Sequence, residues 1–252
     1  CIFPFEEAIY RRAGVDVRYV GHPMVARAPR VDDPDTFRRR FGLAKTDLPI
    51  SILPGSRRVE VEYILPPVLE ALPAIKSALP LARFLLPAAS AKAREAIETG
   101  LDRFFTTSHP PLKRADLVLV DGEATNCLGN SRMGIVKSGT STFEAAVAGT
   151  PFVMVYRINP WMWRLGRWVL ATRHFCIVNL IAGREVVPEL MQDRLTPDRL
   201  ASTFLNIIST PGIYMEMKRA LAEVRNQFDH RDAARNVAEE LHQALLEASQ
   251  HR

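Results

Sequence analysis

Short apolar runs alternate with longer amphipathic segments along the first two thirds of the chain. Most of these runs are almost continuously apolar, which is typical of parallel strands covered on both faces, while the first run alternates only partly. The predicted strands are Val17–Val20, Ile50–Leu53, Arg83–Leu86, Leu117–Val120, Gly134–Val136 and Phe152–Tyr156.

Helical periodicity fills the segments between these strands and the end of the chain. Regular strand–helix alternation predicts an α/β fold: a Rossmann-like, doubly wound parallel sheet with helices on both faces and a helical C-terminal end. The polar stretch Pro29–Asp35 holds two prolines and is predicted to be a linker or hinge. The predicted helices are Val59–Ala78, Ala89–Thr99, Thr140–Ala148, Pro197–Ile208, Ile213–Phe228 and Arg231–Ala248.

Composition narrows the class of protein. The chain has 252 residues, of which 47% are hydrophobic and 24% charged, as is typical of a globular protein with a large core. Its net charge of +5 favours acidic partners: nucleotide phosphates, anionic lipid or nucleic acid. Three widely spaced cysteines form neither a zinc-site pattern nor a disulfide framework, so a reducing, cytoplasmic setting is expected.

A turn of small residues follows the predicted strand Gly134–Val136. Gly139 can adopt backbone conformations closed to other residues, and Thr140 and Ser141 then offer hydroxyl and N–H groups at a predicted helix start. Such a helix start is a favoured place for a phosphate group. The spacing Ser141-x-x-Glu144 also fits a capping box, which needs no ligand, so this motif alone leaves both interpretations open.

A second glycine turn, Leu53-Pro54-Gly55-Ser56-Arg57, connects a predicted strand to a predicted helix. Ligands of open α/β sheets bind in turns of this type, beyond the carboxyl ends of the strands. Gly55 permits close backbone approach, and the planar fork of Arg57 is suited to a diphosphate. A tight turn with a solvent-exposed arginine is the alternative, but the coincidence of strand, glycine and arginine favours a phosphate site.

Two further features carry weaker signals. Gly183, Arg184 and Glu185 lie together at a predicted helix start, which by composition alone is a loop with a capped helix. His22 lies near a turn and has no identifiable partner acid, so it is expected to be structural.

All three tryptophans fall within Arg157–Arg173. Helical spacing places Trp161, Leu165, Trp168 and Val169 on one face, with arginines able to reach past it. Tryptophan combined with arginine is typical of a helix lying in a membrane interface, and an ordinary helix packed on the sheet is the alternative. The residues expected to contact membrane or lipid are Trp161, Trp163, Arg164, Arg167 and Trp168.

Five segments, in order along the chain, resemble the lipid-A-disaccharide synthases, which are bacterial glycosyltransferases of the GT-B type. By contrast, the chain has no Gly-x-Gly fingerprint, Walker A loop, His-Glu-x-x-His or Gly-x-Ser-x-Gly motif. The matching segments are Phe3–Glu6, Val20–Met24, Leu53–Arg57 with Glu60, Ser138–Glu144 and Asn179–Glu185.

The resemblance implies two Rossmann-like domains with the active site between them, of which this chain matches the second, donor-binding domain. We expect residues 1–28 to be the end of the N-terminal domain and hinge, 29–210 the UDP-sugar-binding domain, and 211–252 C-terminal helices, the last of which often crosses back in GT-B proteins. Cys1–Phe5 resembles the tail of a buried strand and Cys1 is not a methionine, so the front of the protein is expected to lie outside this sequence. The family's glycine-rich loop and proposed general base, an aspartate, have no counterpart here, and no catalytic residue is assigned.

The implied reaction transfers diacylglucosamine from UDP-2,3-diacylglucosamine to 2,3-diacylglucosamine 1-phosphate, giving lipid A disaccharide 1-phosphate and UDP with inversion. No metal or other cofactor is expected, so backbone amides and Arg57 would hold the diphosphate, while Glu144 would accept hydrogen bonds from the ribose. The residues expected to bind the donor are Gly55, Ser56, Arg57, Ser138, Gly139, Thr140, Ser141, Glu144, Asn179, Gly183, Arg184 and Glu185.

The expected partners are UDP-diacylglucosamine, the acylated glucosamine phosphate and a membrane surface, with the protein peripheral on the cytoplasmic face of the bacterial inner membrane. The resemblance leaves a homodimer open, and no nucleic acid is expected. Two alternatives stand beside this interpretation. One is another GT-B enzyme that uses UDP-GlcNAc, such as the peptidoglycan transferase or the 2-epimerase; the other is a non-catalytic or truncated remnant that binds nucleotide or lipid.

Overall fold

The computed structural model describes residues 1–26, 31–107, 109, 111–166, 174–228 and 233–250. Within these ranges the strands are β1 (Leu48–Leu53), β2 (Ala82–Ala88), β3 (Leu117–Asp121), β4 (Met133–Lys137), β5 (Phe152–Tyr156) and β6 (Glu189–Met191). The helices are α1 (Pro4–Arg12), α2 (Pro23–Ala26), α3 (Pro34–Phe41), α4 (Arg58–Ala78), α5 (Ala91–Phe104), α6 (Ala124–Gly129), α7 (Thr140–Ala148), α8 (Pro160–Gly166), α9 (Ile177–Ala182), α10 (Pro197–Ser209), α11 (Pro211–Asn226) and α12 (Ala233–Gln250).

One parallel sheet carries the fold, with the strand order β3-β2-β1-β4-β5-β6. In its register, Ile50 lies beside Phe84 and Ile52 beside Ile135. Nearly every residue of β1 and β4 is buried, although successive side chains point to opposite faces, so helices must cover both faces of the sheet. The α/β, Rossmann-like class predicted from the sequence is confirmed.

The direction of winding reverses between β1 and β4. From β1 the chain passes through α4 to β2 on one side, and from β4 it passes through α7 to β5 on the other. The turns that leave these two adjacent strands therefore diverge, which opens a crevice at their carboxyl ends.

Five of the six predicted strands are confirmed within two residues at either end. The sixth, Val17–Val20, is wrong, because this segment forms no strand. It pairs instead with the first residue: Cys1 N donates to Arg18 O at 2.9 Å, and Val20 N donates to Cys1 O at 3.2 Å. The chain enters helix α1 at Pro4, so this backbone pairing stops near Cys1 and does not extend into a β-ladder.

The chain enters a helix at Pro4 after three residues that form no strand, so the interpretation of Cys1–Phe5 as the tail of a buried strand is wrong. Pro4 lies in the first turn of α1, where its fixed backbone angle suits a helix start. Glu6 accepts a hydrogen bond from Phe3 N at 3.1 Å. Acidic residues in the first turn and Arg11 and Arg12 in the last turn complement the helix dipole.

Capping side chains set several other boundaries. Ser90 Oγ accepts a hydrogen bond from Ala93 N at 3.2 Å, so α5 begins two residues later than predicted and extends to Phe104. The predicted linker Pro29–Asp35 lies partly outside the described residues. In its described part, Asp33 Oδ1 accepts from Thr36 N at 3.0 Å and starts α3 at Pro34.

The chain divides into two compact units, Cys1–Pro29 with Ala222–Arg252, and Arg30–Leu221. The larger unit contains the sheet. In the smaller unit, His22 is buried against Phe3 and Phe228, with ring centroids 5.0 and 5.9 Å away. Burial lowers the pKa of His22, more than the nearby charge of Glu6 raises it, which suits the structural role expected for this residue. The domain boundaries expected near residues 28 and 210 remain a prediction.

Candidate functional site

A cavity of about 260 Å³ lies at the carboxyl ends of the strands, where the direction of winding reverses. Gly55 and Ser56 line it from the turn after β1. Thr140, Ser141 and Glu144 line it from the first turns of α7. The structure therefore brings together residues from both glycine turns that the sequence indicated.

The start of α7 borders this cavity through Thr140 and Ser141. Gly139 is the N-cap residue with φ +137°, a conformation that favours glycine. The predicted capping box is not formed, because Ser141 lies inside the first turn and Thr142 Oγ1 donates to Gly139 O at 2.7 Å. First-turn amides have no partner within a helix and carry the positive end of its dipole, so this helix start is suited to an anion.

Glu144 supplies a carboxylate one turn farther into α7. It lines the cavity, and burial raises its pKa above the ordinary value. Among the residues that the structure describes, no donor is hydrogen-bonded to this carboxylate. A partly buried acceptor of this kind is suited to the hydroxyl groups of a ligand.

Two backbone amides of the turn after β1 are already hydrogen-bonded to Glu60. Glu60 Oε2 accepts hydrogen bonds from Ser56 N at 3.1 Å and Arg57 N at 3.4 Å. Gly55 has φ +140°, and a Cβ there would lie 2.6 Å from Glu60 Cβ, so a larger residue does not fit. The Arg57 side chain is 84% exposed, with Nη1 3.7 Å from Glu60 Oε1. The turn thus offers a ligand the Ser56 side chain and an extended guanidinium group, while Glu60 occupies two of its N–H groups.

Lys137 is a charged residue of this region that the sequence analysis did not assign. It ends β4, and its Nζ lies 2.9 Å from Glu60 Oε1. Burial alone would raise the pKa of Glu60, but Lys137 and the two turn amides outweigh burial and hold the pKa below its ordinary value. The available signal was a lysine at the end of an otherwise apolar strand, directly before Ser138 and Gly139.

The ends of β2 and β3 complete the cavity with residues that sequence reasoning also missed. Pro87 and Glu123 line it, and Glu123 is held by an ion pair with Arg40 and by a 2.9 Å hydrogen bond from Asn126 Nδ2. Glu123 has φ +56°, which is uncommon for a residue with a side chain. Within the described ranges, no group of three or more His, Cys, Asp or Glu side chains is arranged to hold a metal ion.

Asn179 lies in the larger unit as a fully buried residue of α9. Its Oδ1 accepts from Val186 N at 2.7 Å and Val187 N at 3.0 Å, and its Nδ2 donates to Val187 O and Glu189 Oε1, both at 2.8 Å. These four bonds use the full hydrogen-bonding capacity of the amide. In this structure Asn179 therefore holds the loop after α9, and it is not part of the cavity lining.

The Gly183-Arg184-Glu185 segment follows a helix, so its predicted position at a helix start is wrong. Gly183 ends α9 with φ +65°, the left-handed conformation that commonly terminates helices. Arg184 and Glu185 are exposed and do not line the cavity. Ser138 is likewise outside the lining, since its hydroxyl donates to Phe175 O at 2.8 Å.

The tryptophan-rich segment forms α8 as far as Gly166. Trp161 is 71% exposed and Met162 66% exposed, while Trp163 packs near Phe175 with ring centroids 5.8 Å apart. The Arg164 guanidinium lies 5.5 Å from the Trp161 ring centroid. Two of the expected lipid contacts, Arg167 and Trp168, lie outside the described residues. None of the described helices has the length and apolar character needed to cross a membrane.

Comparison with known proteins identifies the family of this chain. The sequence pattern of the family described as lipid-A-disaccharide synthetase matches residues 1–245. The chain belongs to the lipid-A-disaccharide synthase family. Curated lipid-A-disaccharide synthases from Myxococcus xanthus and Koribacter versatilis are 37% and 38% identical to it over 97% and 99% of its length. The chain spans 62% of the length of each of these relatives.

Solved structures place this family member among the GT-B glycosyltransferases in fold. WaaG, a glycosyltransferase involved in lipopolysaccharide biosynthesis, matches 94% of the chain with a TM-score of 0.59 and 10% identity, over 60% of its own length. Sucrose-phosphate synthase from Thermosynechococcus elongatus matches 98% of the chain with a TM-score of 0.57 and 17% identity, over 58% of its own length. At these identities the likeness concerns the fold alone.

Proposed function

We propose that this chain is the donor-binding part of a lipid-A-disaccharide synthase and holds the uridine diphosphate of an acylated sugar nucleotide in the cavity beyond β1 and β4. The observation that carries the proposal is the convergence of Ser56, Thr140, Ser141 and Glu144 on one cavity at the reversal of winding. Open α/β sheets bind their ligands at such points. The family relationship supports a UDP-linked acylated sugar as the ligand.

The diphosphate and the ribose of the nucleotide each have a matching group. The first-turn amides of Thr140 and Ser141 favour a diphosphate, and Arg57 adds an exposed positive charge at the neighbouring turn. Charge that builds on the departing diphosphate is stabilised by such fixed donors. Glu144 accepts hydrogen bonds from the ribose hydroxyls, since its carboxylate has no donor of its own within the described chain.

For the whole protein we propose the family reaction. It transfers 2,3-diacylglucosamine from UDP to 2,3-diacylglucosamine 1-phosphate with inversion, which gives lipid A disaccharide 1-phosphate and UDP. This chain spans 62% of the length of its curated relatives, and we assign none of its residues as the general base. The remaining predicted donor-site residues, Asn179, Gly183, Arg184 and Glu185, act in this proposal by shaping the loop beside α9.

We also propose that α8 contacts lipid at the cytoplasmic face of the inner membrane. Trp161 and Met162 expose large apolar side chains, and Arg164 lies beside the Trp161 ring. This combination is suited to a membrane interface, where apolar groups enter the boundary region and arginine meets anionic headgroups. The acylated substrates make such a contact useful.

Calorimetric titration with UDP tests the assignment of the cavity. Arg57→Ala is expected to weaken UDP binding by about 1.5–3 kcal/mol, the usual effect of losing a charge-assisted contact. Arg58→Ala is the matched control, because Arg58 is the next residue and its exposed side chain pairs with Glu62 at 2.7 Å. Unchanged UDP affinity in Arg57→Ala, or equal losses in both variants, would contradict the role given to Arg57.

A second assay separates the leading proposal from its alternatives. UDP release is measured with acylated and non-acylated UDP-glucosamine donors and the lipid acceptor. Release only with the acylated pair supports the family reaction, whereas release with UDP-GlcNAc indicates another GT-B enzyme. UDP binding without turnover restricts this chain to the donor-binding role, and turnover refutes a non-catalytic remnant.

A further inference from the structure

A partly buried ion pair joins the two glycine turns of the cavity. Lys137 Nζ and Glu60 Oε1 are 2.9 Å apart, and their side chains are only 18% and 15% exposed. The two residues are 77 positions apart in sequence. They come together because Lys137 ends β4, while Glu60 lies in the first turn of α4, just after the neighbouring strand β1. Neither residue lines the cavity, but Gly55 and Ser56, which do, lie in the turn that precedes Glu60.

Each member of the pair also controls the turn on its own side. The second oxygen of Glu60 accepts hydrogen bonds from Ser56 N and Arg57 N, which fixes the turn after β1. Lys137 directly precedes Ser138 and Gly139, the N-cap residue of α7, so it is anchored in the backbone that leads into this helix. A movement of either charged group would therefore shift backbone that borders the cavity.

The two glycines leave the space that the pair occupies. A Cβ at Gly55 would lie 2.6 Å from Glu60 Cβ and 2.8 Å from its Oε2. A Cβ at Gly139 would lie 3.3 Å from Lys137 Nζ. Both glycines have positive φ angles, +140° and +137°. The same two turns that border the cavity are thus fitted to a single ion pair.

Helix capping does not account for this arrangement. A capping glutamate needs only the backbone amides, which Glu60 already contacts through Oε2, and it needs no lysine partner. Partial burial of a lysine carries a desolvation cost that a well-packed apolar residue would avoid, so the pair is a weak device for stability alone. Its geometry instead links two segments whose relative position defines the cavity.

We propose that Glu60 and Lys137 are positioning residues for donor binding, whose ion pair holds the Gly55–Arg57 turn and the start of α7 at the spacing that a diphosphate requires. This inference rests on the function proposed above. It makes a prediction opposite to that of simple electrostatics. Removing the negative charge of Glu60 would by Coulomb attraction alone favour an anionic ligand, whereas loss of positioning weakens its binding.

The test compares UDP dissociation constants, measured by calorimetry, for Glu60→Gln, Lys137→Met and the double variant. Circular dichroism establishes the temperature range in which each is folded, and Lys137→Gln replaces Lys137→Met, alone and in the double variant, if the latter does not fold. Each single variant is expected to bind UDP more weakly, on the order of tenfold, and the double variant no more weakly than the singles, because the effects are coupled. Glu62→Gln is the matched control on the same helix, with an exposed i,i+4 pair, and is expected to bind normally.

Two outcomes would overturn the inference while leaving the proposed function intact. Folded single variants with wild-type UDP affinity and a lower Tm would reduce the pair to a stabilising contact. Tighter UDP binding by Glu60→Gln would show that Glu60 competes with the ligand for the amides of Ser56 and Arg57. Absence of UDP binding by the wild-type chain would instead overturn the proposed function, and this inference with it.

Discussion

Glu144→Gln is expected to make the free protein more stable at neutral pH and yet a weaker binder of UDP. Glu144 lines the cavity, and burial raises its pKa, so its ionised form is disfavoured in the folded chain. An acid whose folded pKa is raised stabilises the fold below its ordinary pKa, and this contribution is lost as the pH rises through the raised value. Glutamine carries no charge at any pH, so Glu144→Gln does not lose this stability as the pH rises.

The binding effect follows from the change in hydrogen-bond strength. A hydrogen bond to a charged group contributes about 1.5–3 kcal/mol and a neutral one about 0.5–1.5 kcal/mol. Glu144→Gln, which keeps an acceptor, is therefore expected to weaken UDP binding by about 1–1.5 kcal/mol, or roughly 5- to 10-fold. Glu144→Ala removes the acceptor and is expected to weaken it by about 1.5–3 kcal/mol, or roughly 10- to 150-fold.

The assay combines urea denaturation between pH 4 and pH 8 with UDP calorimetry at pH 7.5. The free energy of unfolding of Glu144→Gln should be close to that of the wild type at pH 4, exceed it as the pH rises through the raised pKa of Glu144, and keep a constant excess above that pKa. Glu62→Gln, on an exposed surface of α4, should change neither quantity. Lower stability of Glu144→Gln at pH 8, or undiminished UDP affinity of Glu144→Ala, would refute the reasoning.

Three further perturbations address the loop, the helix start and the lipid face. Asn179→Ala leaves three buried backbone groups, Val186 N, Val187 N and Val187 O, without their partner and should lower the free energy of unfolding by about 3 kcal/mol or more, seen in thermal denaturation; a loss below about 1 kcal/mol would contradict the role of Asn179 in holding the loop. Gly139→Ala forces a side chain into φ +137° and should cost about 1–3 kcal/mol in the same experiment, together with weaker UDP binding; wild-type values of both would be incompatible with the helix-start assignment. The double change Trp161→Ser with Met162→Ser should reduce sedimentation with anionic vesicles, whereas the exposed control Leu81→Ser should not; equal sedimentation of all three proteins would exclude α8 as the lipid contact.

The sheet could be predicted because its physical signal is local. Strands buried on both faces must be apolar at nearly every position, so runs such as Ile50–Leu53 and Phe152–Tyr156 could be recognised as strands from the sequence. β6, with only three residues, is too short for any periodicity to mark it. Val17–Val20 has the composition of a strand, but within the described residues it pairs only with Cys1, and the sequence pattern does not reveal whether a strand-like run has a partner strand.

The cavity could be predicted only in part, because its residues come from distant segments. Each glycine turn could be recognised in the sequence by itself. The pairing of Glu60 with Lys137, however, requires that β1 and β4 are neighbouring strands, and the sequence of neither turn indicates the strand order. The interpretation of Asn179 as a cleft residue followed the family pattern. The structure adds that its amide is fully used by the loop, which depends on backbone groups that a sequence does not display.

The most direct test of the central claim is a UDP titration of the isotopically labelled chain followed by amide chemical shifts. If the cavity binds UDP as proposed, the shifts saturate and are largest at the first-turn amides of Thr140 and Ser141 and at Gly55, where the start of α7 faces the turn after β1. Arg57→Ala is expected to move the midpoint of the same shifts to higher UDP concentration. Saturable shifts confined to residues away from this cavity, or no saturation by UDP, would contradict the claim that this cavity holds the nucleotide.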